Sequence, residues 1–386
     1  MRADLRTGRG TENVLFNLLR YAPENMDITI VESDNLKQTR ISDQEIKKIT
    51  SGFNVIKIHK HQYRMDSLPE RIYVNTILRP YYRDLEWAKS RGLLEEIRRT
   101  DMVYLFANEY SIFFKGMNIP IIGSGHAFTI SDFVDRQDLL HKLYANYLYK
   151  TYFKDINGFN YFPKDESMFD KFRDMWNLKY NFPLSPGVDT ELFYPDNHTT
   201  DQKIKFLFVA ALEYNKGLDI LIPLIKKFGD DNKLEFHIAG TGPVEEELKE
   251  IKSINFHGRL SDEDLAKLYR ECDIFVYPSH NDSYSLVILQ ALSSGLYVLA
   301  GDFFKGIFDD FGKYLEYIPM NVESFYTRIN EIINNRKMID HDRQEEYGYV
   351  RNNYDWSIIA RKFYDNMENI YNEFYHNQNG NDNFKD

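Results

Sequence analysis

The 386-residue sequence has a single cysteine, Cys272. One thiol excludes an internal disulfide framework and fits a reducing compartment. No apolar run reaches the ~18 residues that a membrane-spanning helix needs. A net charge of −11 leaves no overall basic footprint for nucleic acid. Metal-ligand spacing is missing too, because the ten histidines are scattered and Cys272 has no companion. Neither a G-x-x-x-x-G-K-[ST] loop nor a G-x-S-x-G elbow occurs. These absences leave a soluble, cytoplasmic, globular protein without nucleic-acid partners or metal as the expectation.

What is present suits two domains, since single cores stop growing near ~250–300 residues. In the second half, short apolar runs alternate with amphipathic segments. "IKFLFVAAL", "LEFHIAG", "INFHG" and "DIFVYPS" read as strands, and "YVLAG" closes the series. "KGLDILIPLIKKF", "TGPVEEELKEI" and "SDEDLAKLYREC" read as helices, the last with Ser261 as N-cap. A further helix starts near Ser285. This alternation predicts parallel βαβ units and a doubly wound sheet.

The first half shows the same alternation with longer insertions. Pro183, Pro186, Gly187 and Pro195 mark the joint. The spacing predicts an N-terminal Rossmann-like domain over 1–186 and a second over 187–345. A last helix over 356–375 belongs with the first domain, and a polar, disordered tail follows over 376–386. "TGRGTENVLFNLL" gives a glycine turn and a helix, yet only "MRADLR" precedes it. We therefore expect most of the first strand to be missing, through a start codon lying upstream.

Ligands of open parallel sheets bind at the carboxyl ends of strands, and helix N-termini bind anions. Four polar corners qualify: "TGRGTE", "GSGHAF", "ALEYNKG" and "PSHNDSYSLVILQ". Gly8 and Gly10 allow close backbone approach to a ligand, or make a plain loop. His126 is either catalytic or structural. Lys216 at a helix start opposes the helix dipole, which a bound phosphate would explain; otherwise it is an exposed lysine. Asp282 can be a turn residue. Gln290 lies in an otherwise apolar helix and needs a partner if buried. "RPYYRDLEWAKSRGLLEEIRR" mixes Arg79, Arg83, Lys89, Arg91, Arg98 and Arg99 with aromatics. It is either a solvated helical face or a contact with an anionic lipid surface or lipid-linked acceptor.

Together these residues resemble the family 4 glycosyltransferases, which have the GT-B fold. That family carries a segment close to "PS-x-x-E-G-F-G-L-V-x-L-E-A-M-A-x-G-x-P-V", and this chain reads "PSHNDSYSLVILQALSSGLYV". "PGVDTELFYP", "FLFVAALEYNKGLDILI", "HIAGTGPVEEEL" and "INFHGRLSDEDLAKLYRECDIFVYPS" are similar and in order. The likeness is strong over Pro186–Ala300 and weaker before it. It departs at the paired glutamates, which are Asp282 and Gln290, and at a Gly-Arg replaced by Ala210-Ala211.

The resemblance implies two Rossmann-like domains facing a cleft, with the C-terminal helix crossing back to the first. It also implies retaining, metal-independent transfer from a nucleotide-diphospho sugar such as a UDP- or GDP-sugar. On that footing Asp282 orients donor-sugar hydroxyls. The N–H groups of Leu286 and Val287, beside Ser285, hold the distal phosphate. Lys216 neutralises the departing diphosphate, Gln290 meets the ribose and Arg259 the base. Gly242 falls in the donor-binding set, His126 faces sugar or acceptor, and Gly8 and Gly10 border the phosphate. The acceptor, whether glycan, lipid-linked or small molecule, is not readable, and the enzyme would work in the cytoplasm or at the inner membrane face. Because three active positions are substituted, a degenerate nucleotide-sugar-binding protein without turnover is the alternative; another GT-B enzyme, such as an epimerase, fits the ordered motifs less well.

Overall fold

A computed structural model describes residues 10–33, 47–48, 50–61, 67–125, 139–163, 166, 170, 173, 176–196, 203–229, 231–282 and 284–382. The chain divides into two compact units, Met1–Ser185 with Ala360–Asp386, and Pro186–Ile359.

Among the described residues, unit 1 holds six strands: β1 Thr29–Ser33, β2 Asn54–Ile58, β3 Val103–Leu105, β4 Ile121–Ser124, β5 Gly158–Tyr161 and β6 Phe182–Pro183. β1 pairs with β2, and β3-β4-β5-β6 form a second ladder, all parallel. Among its helices are α1 Gly10–Arg20, α2 Leu68–Tyr73, α3 Pro80–Ser90, α4 Leu93–Ile97 and α5 Leu139–Leu148. The arginine-rich stretch forms two helices, α3 and α4, with Arg91 and Gly92 between them. Ile56, Ile58, Ile121, Phe113, Tyr152 and Phe159 form the core.

Unit 2 alternates β7 Ile204–Val209, α6 Leu218–Phe228, β8 Leu234–Ala239, α7 Glu245–Lys249, β9 Ile254–Gly258, α8 Asp262–Glu271, β10 Ile274–Tyr277, α9 Leu286–Ser293 and β11 Tyr297–Gly301. Then come β12 Leu315–Ile318, α10 Val322–Asn334, α11 Arg343–Tyr354 and α12 Trp356–Asp382. Its six strands run β12-β11-β10-β7-β8-β9. Numbered from β7, that is the 3-2-1-4-5-6 order of a doubly wound sheet, which reverses between its first and fourth strands. β10 and β11 are buried throughout, as parallel strands covered on both faces must be. β9 is half exposed because it lies at the edge.

Local signals account for several boundaries. Ser261 accepts from the Asp264 N–H at 3.1 Å and caps α8 as expected. Two expectations fail. The series does not close at "YVLAG", because the half-polar "LEYI" adds β12 beside β11. The chain is also helical as far as Asp382, where a tail without structure was expected from 376. Extending a helix that already exists costs far less than nucleating one, so polar residues continue it. From Ala360 onward α12 belongs to unit 1. There Phe363 packs on Tyr104, with ring centroids 4.9 Å apart, and the Tyr364 hydroxyl donates to the Leu18 carbonyl at 2.9 Å.

Candidate active site

The reversal of strand order in unit 2 puts the exits of β7 and β10 side by side. Ile274 of β10 registers with Phe206 of β7, and Phe275 with Leu207. The loop leaving β7 turns through a 3-10 segment, Tyr214–Lys216, into α6 at Gly217. The loop leaving β10 lies against it: the His280 N–H donates to the Asn215 carbonyl at 3.0 Å. Gly217 has φ +91°, and a Cβ there would sit 2.1 Å from the Pro278 carbonyl oxygen. Only glycine fits both conditions. Gly217→Ala should therefore destabilise unit 2 by about 2 kcal/mol. Denaturant unfolding measures this, and an unchanged midpoint would mean the two loops separate at no cost.

The contact of these loops brings two charges together. Lys216 Nζ lies 3.4 Å from Asp282 Oδ2 and donates to the Asn281 carbonyl at 2.9 Å. Asp282 Oδ2 also accepts from the Tyr277 hydroxyl at 2.9 Å. Tyr277 ends β10 and is buried. Burial, and then the Asp282 charge, raise its pKa above the usual phenol value, while the nearby Ser285 and Ser279 hydroxyls oppose this. The phenol therefore stays a donor and pins one carboxylate oxygen. By contrast, the Lys216–Asp282 pair is partly exposed, and such pairs contribute under about 1 kcal/mol. The ammonium is thus cheap to redirect toward an anion.

An anion-binding group follows at once. Ser285 is the N-cap of α9 but makes no side-chain cap, and its carbonyl accepts from the Ile288 and Leu289 N–H groups at 3.2 and 3.4 Å. Leu286 and Val287 open the helix, where N–H groups have no partner in the preceding turn. Strand exit, cation, carboxylate and helix N-terminus meet in one corner.

Residues 190–351 match the family described as glycosyl transferases group 1. The matched segment lies within unit 2. An uncharacterized glycosyltransferase of Methanocaldococcus jannaschii is 26% identical over 200 residues, which cover 48% of this chain and 47% of that protein. A sulfoquinovosyl transferase of Arabidopsis thaliana is 27% identical over 198 residues, 46% of this chain and 37% of that protein. The chain thus matches less than half the length of these curated relatives. In fold it is similar to HepE of Anabaena, solved in complex with UDP and glucose. There the TM-score is 0.63 at 12% identity, over 93% of this chain and 96% of that one. The GT-B fold is shown by this likeness and by the two sets of parallel ladders.

The matched segment gathers some expected residues and not others. Lys216, Asp282, Ser285, Leu286 and Val287 share the corner. Gln290 has its needed partner in Tyr269, whose hydroxyl donates to Oε1 at 3.4 Å and to the Val287 carbonyl at 3.2 Å. The Gln290 amide nitrogen and the second lone pair of its carbonyl are left to offer a further group. Gly242 is accounted for by packing, since a Cβ would meet the Leu212 carbonyl oxygen at 2.4 Å. The same loops are clasped by the Leu212 N–H on the Thr241 carbonyl at 3.0 Å. Arg259 is exposed beyond the edge strand β9, two strands from β7. In unit 1, Gly10 opens α1, while Gly8 and His126 lie outside the described residues.

Sequence reasoning missed Tyr277 because a tyrosine closing an apolar strand reads as core. Its place at the carboxyl end of β10 was the available signal. Tyr277→Phe frees the Asp282 oxygen without emptying the site. It should raise KM for the donor severalfold and leave kcat nearly intact, because pinning a carboxylate acts on binding. Steady-state kinetics separate the two, and an unchanged KM would remove Tyr277 from the site.

Proposed function

We propose that the protein is a retaining glycosyltransferase that moves a sugar from a nucleotide-diphospho sugar to an acceptor hydroxyl. The observation that carries this is the meeting of Lys216, Asp282 and the α9 N-terminus at the strand-order reversal within the segment that matches glycosyl transferases group 1. The names of the relatives, glycosyltransferase and sulfoquinovosyl transferase, support the reaction class. The UDP and glucose held by HepE support the donor class.

In this reading the α9 N–H groups take the distal phosphate and Lys216 moves from Asp282 to the diphosphate. Asp282, still held by Tyr277, turns to the sugar hydroxyls. The bond from the anomeric carbon to the phosphate oxygen breaks, and the acceptor oxygen bonds to that carbon from the same face. The acceptor's proton leaves with the diphosphate. Lys216 and the helix terminus supply the positive charge, so we propose a reaction that needs no metal. Gln290 meets the ribose and Arg259 the base. The lone, buried Cys272 fits a reducing cytoplasm. Among the described residues no helix is long and apolar enough to cross a membrane.

A panel of UDP-, GDP- and ADP-sugars tests the reading through release of nucleoside diphosphate, with and without candidate acceptors. Release with one base class supports it. Tight binding without release under every condition would favour a protein that holds nucleotide sugars without turnover.

A further inference from the structure

Five large apolar side chains of unit 1, Tyr73, Ile77, Leu139, Leu140 and Leu143, are between 53% and 72% exposed. They fall on two neighbouring segments. Tyr73 and Ile77 are four residues apart, on one stripe of the helical stretch formed by α2 and the π-turn Val74–Leu78. Leu139, Leu140 and Leu143 lie on α5, whose buried residues are His141, Tyr144 and Leu148. The segments lie side by side. The Asn75 side-chain amide donates to the Tyr144 hydroxyl at 2.6 Å, and the Tyr147 hydroxyl donates to the Asn75 carbonyl at 2.9 Å.

Apart from Glu70 on α2, charge on these segments has one sign. From Arg71 to Arg83 there is no acidic residue, and none from Leu139 to Lys154. The same stretches carry Arg71, Arg79, Arg83, Lys142, Lys150 and Lys154, in a chain whose net charge is −11. Lys142 and Lys150 are exposed beside the leucines. Glu70, just before the first stretch, is turned back to cap α2, accepting from the Ser67 N–H at 2.9 Å.

Exposed apolar patches on soluble proteins mark interaction sites. A patch of leucine, isoleucine and tyrosine with the exposed Lys142 and Lys150 beside it fits one kind of partner best. Its side chains can enter the acyl boundary of a bilayer while the cations meet anionic headgroups. We propose that the face formed by Tyr73–Ile77 and Leu139–Leu143 docks unit 1 on an anionic membrane surface. The face shares only Arg79 and Arg83 with the Arg79–Arg99 stretch to which the sequence pointed, where Asp84, Glu86, Glu95 and Glu96 offset the later cations.

The full chain is sedimented with vesicles of phosphatidylcholine and of phosphatidylcholine mixed with phosphatidylglycerol. It should pellet with the mixed vesicles at low salt, release at high salt, and stay in solution with phosphatidylcholine alone. Leu139→Glu with Leu143→Glu, and separately Lys142→Glu with Lys150→Glu, should each weaken binding about tenfold or more. These positions are exposed, so thermal unfolding should match the parent; if the glutamate pair unfolds early, Leu139→Ser with Leu143→Ser replaces it. Failure to pellet with either vesicle, or pelleting that the leucine variants retain, overturns the proposal. So does a dimer in sedimentation equilibrium that these variants dissolve, since a second copy would then cover the patch.

Discussion

Lys216→Ala should lower kcat for the proposed sugar transfer about a hundredfold or more, the usual loss when one group stabilising a developing negative charge is removed. The size follows from what surrounds the lysine. The loop leaving β7 reads Ala210-Ala211-Leu212-Glu213, so no second cation stands between the strand and Lys216. The α9 N–H groups remain and keep part of the donor affinity. Both kcat and kcat/KM should therefore fall together, the signature of an interaction strongest in the transition state. A rise in KM alone would make Lys216 a plain anchor for the diphosphate. Stability should barely change, because the pair with Asp282 is partly exposed and the side chain is not in the core. Lys216→Arg keeps the charge but changes a compact ammonium into a planar fork, so it should recover activity only in part. Transfer at the parental rate in Lys216→Ala would remove the corner between β7 and β10 as the reaction site.

The same corner shows what a sequence can and cannot disclose. The buried strands of unit 2 were legible because parallel strands covered on both faces need continuous apolar residues. β12 was not, because "LEYI" is a short, half-polar edge segment that a loop could equally contain. Lys216 and Asp282 were each marked as belonging to polar strand exits, and the family likeness paired them. Their contact depends on which strands are neighbours, a tertiary fact that no local pattern carries. Gln290 raised the question of a partner, but the answer, Tyr269, lies on the preceding helix. Tyr277 was hidden for the opposite reason: its ring obeys the core pattern while its hydroxyl serves the site.

Unit 2 should lose stability as pH rises through neutrality, and Glu346→Gln should remove part of that loss. Glu346 and His341 are buried together, with His341 Nε2 2.7 Å from Glu346 Oε2 and Nδ1 2.8 Å from the Ile339 carbonyl. The other Glu346 oxygen, Oε1, has no hydrogen-bond partner. Burial therefore pushes the Glu346 carboxyl up to about 7 from 4.5, against the pull of His341, Arg343 and Lys313. Burial alone would lower the His341 pKa, but its bond to Glu346 outweighs this and raises it above 6.5. As a coupled pair, the two hold their shared proton more tightly in the folded state than in the unfolded one. For Glu346, stability falls as pH climbs from about 4.5 to about 7; for His341 it is lost as pH passes the raised folded value. His237 and His257 act in the opposite sense, since burial lowers both. The clean quantity is thus the difference between variant and parent. Protonated glutamate and glutamine are close in shape, so the two proteins should be similar in mild acid. Above neutrality the variant escapes a buried carboxylate, worth about 3 kcal/mol at 1.36 kcal/mol per unit. Urea unfolding at a series of pH values reads this directly. Parallel curves for variant and parent would mean that Glu346 is ionised throughout and that the pair holds α11 by charge rather than by a shared proton.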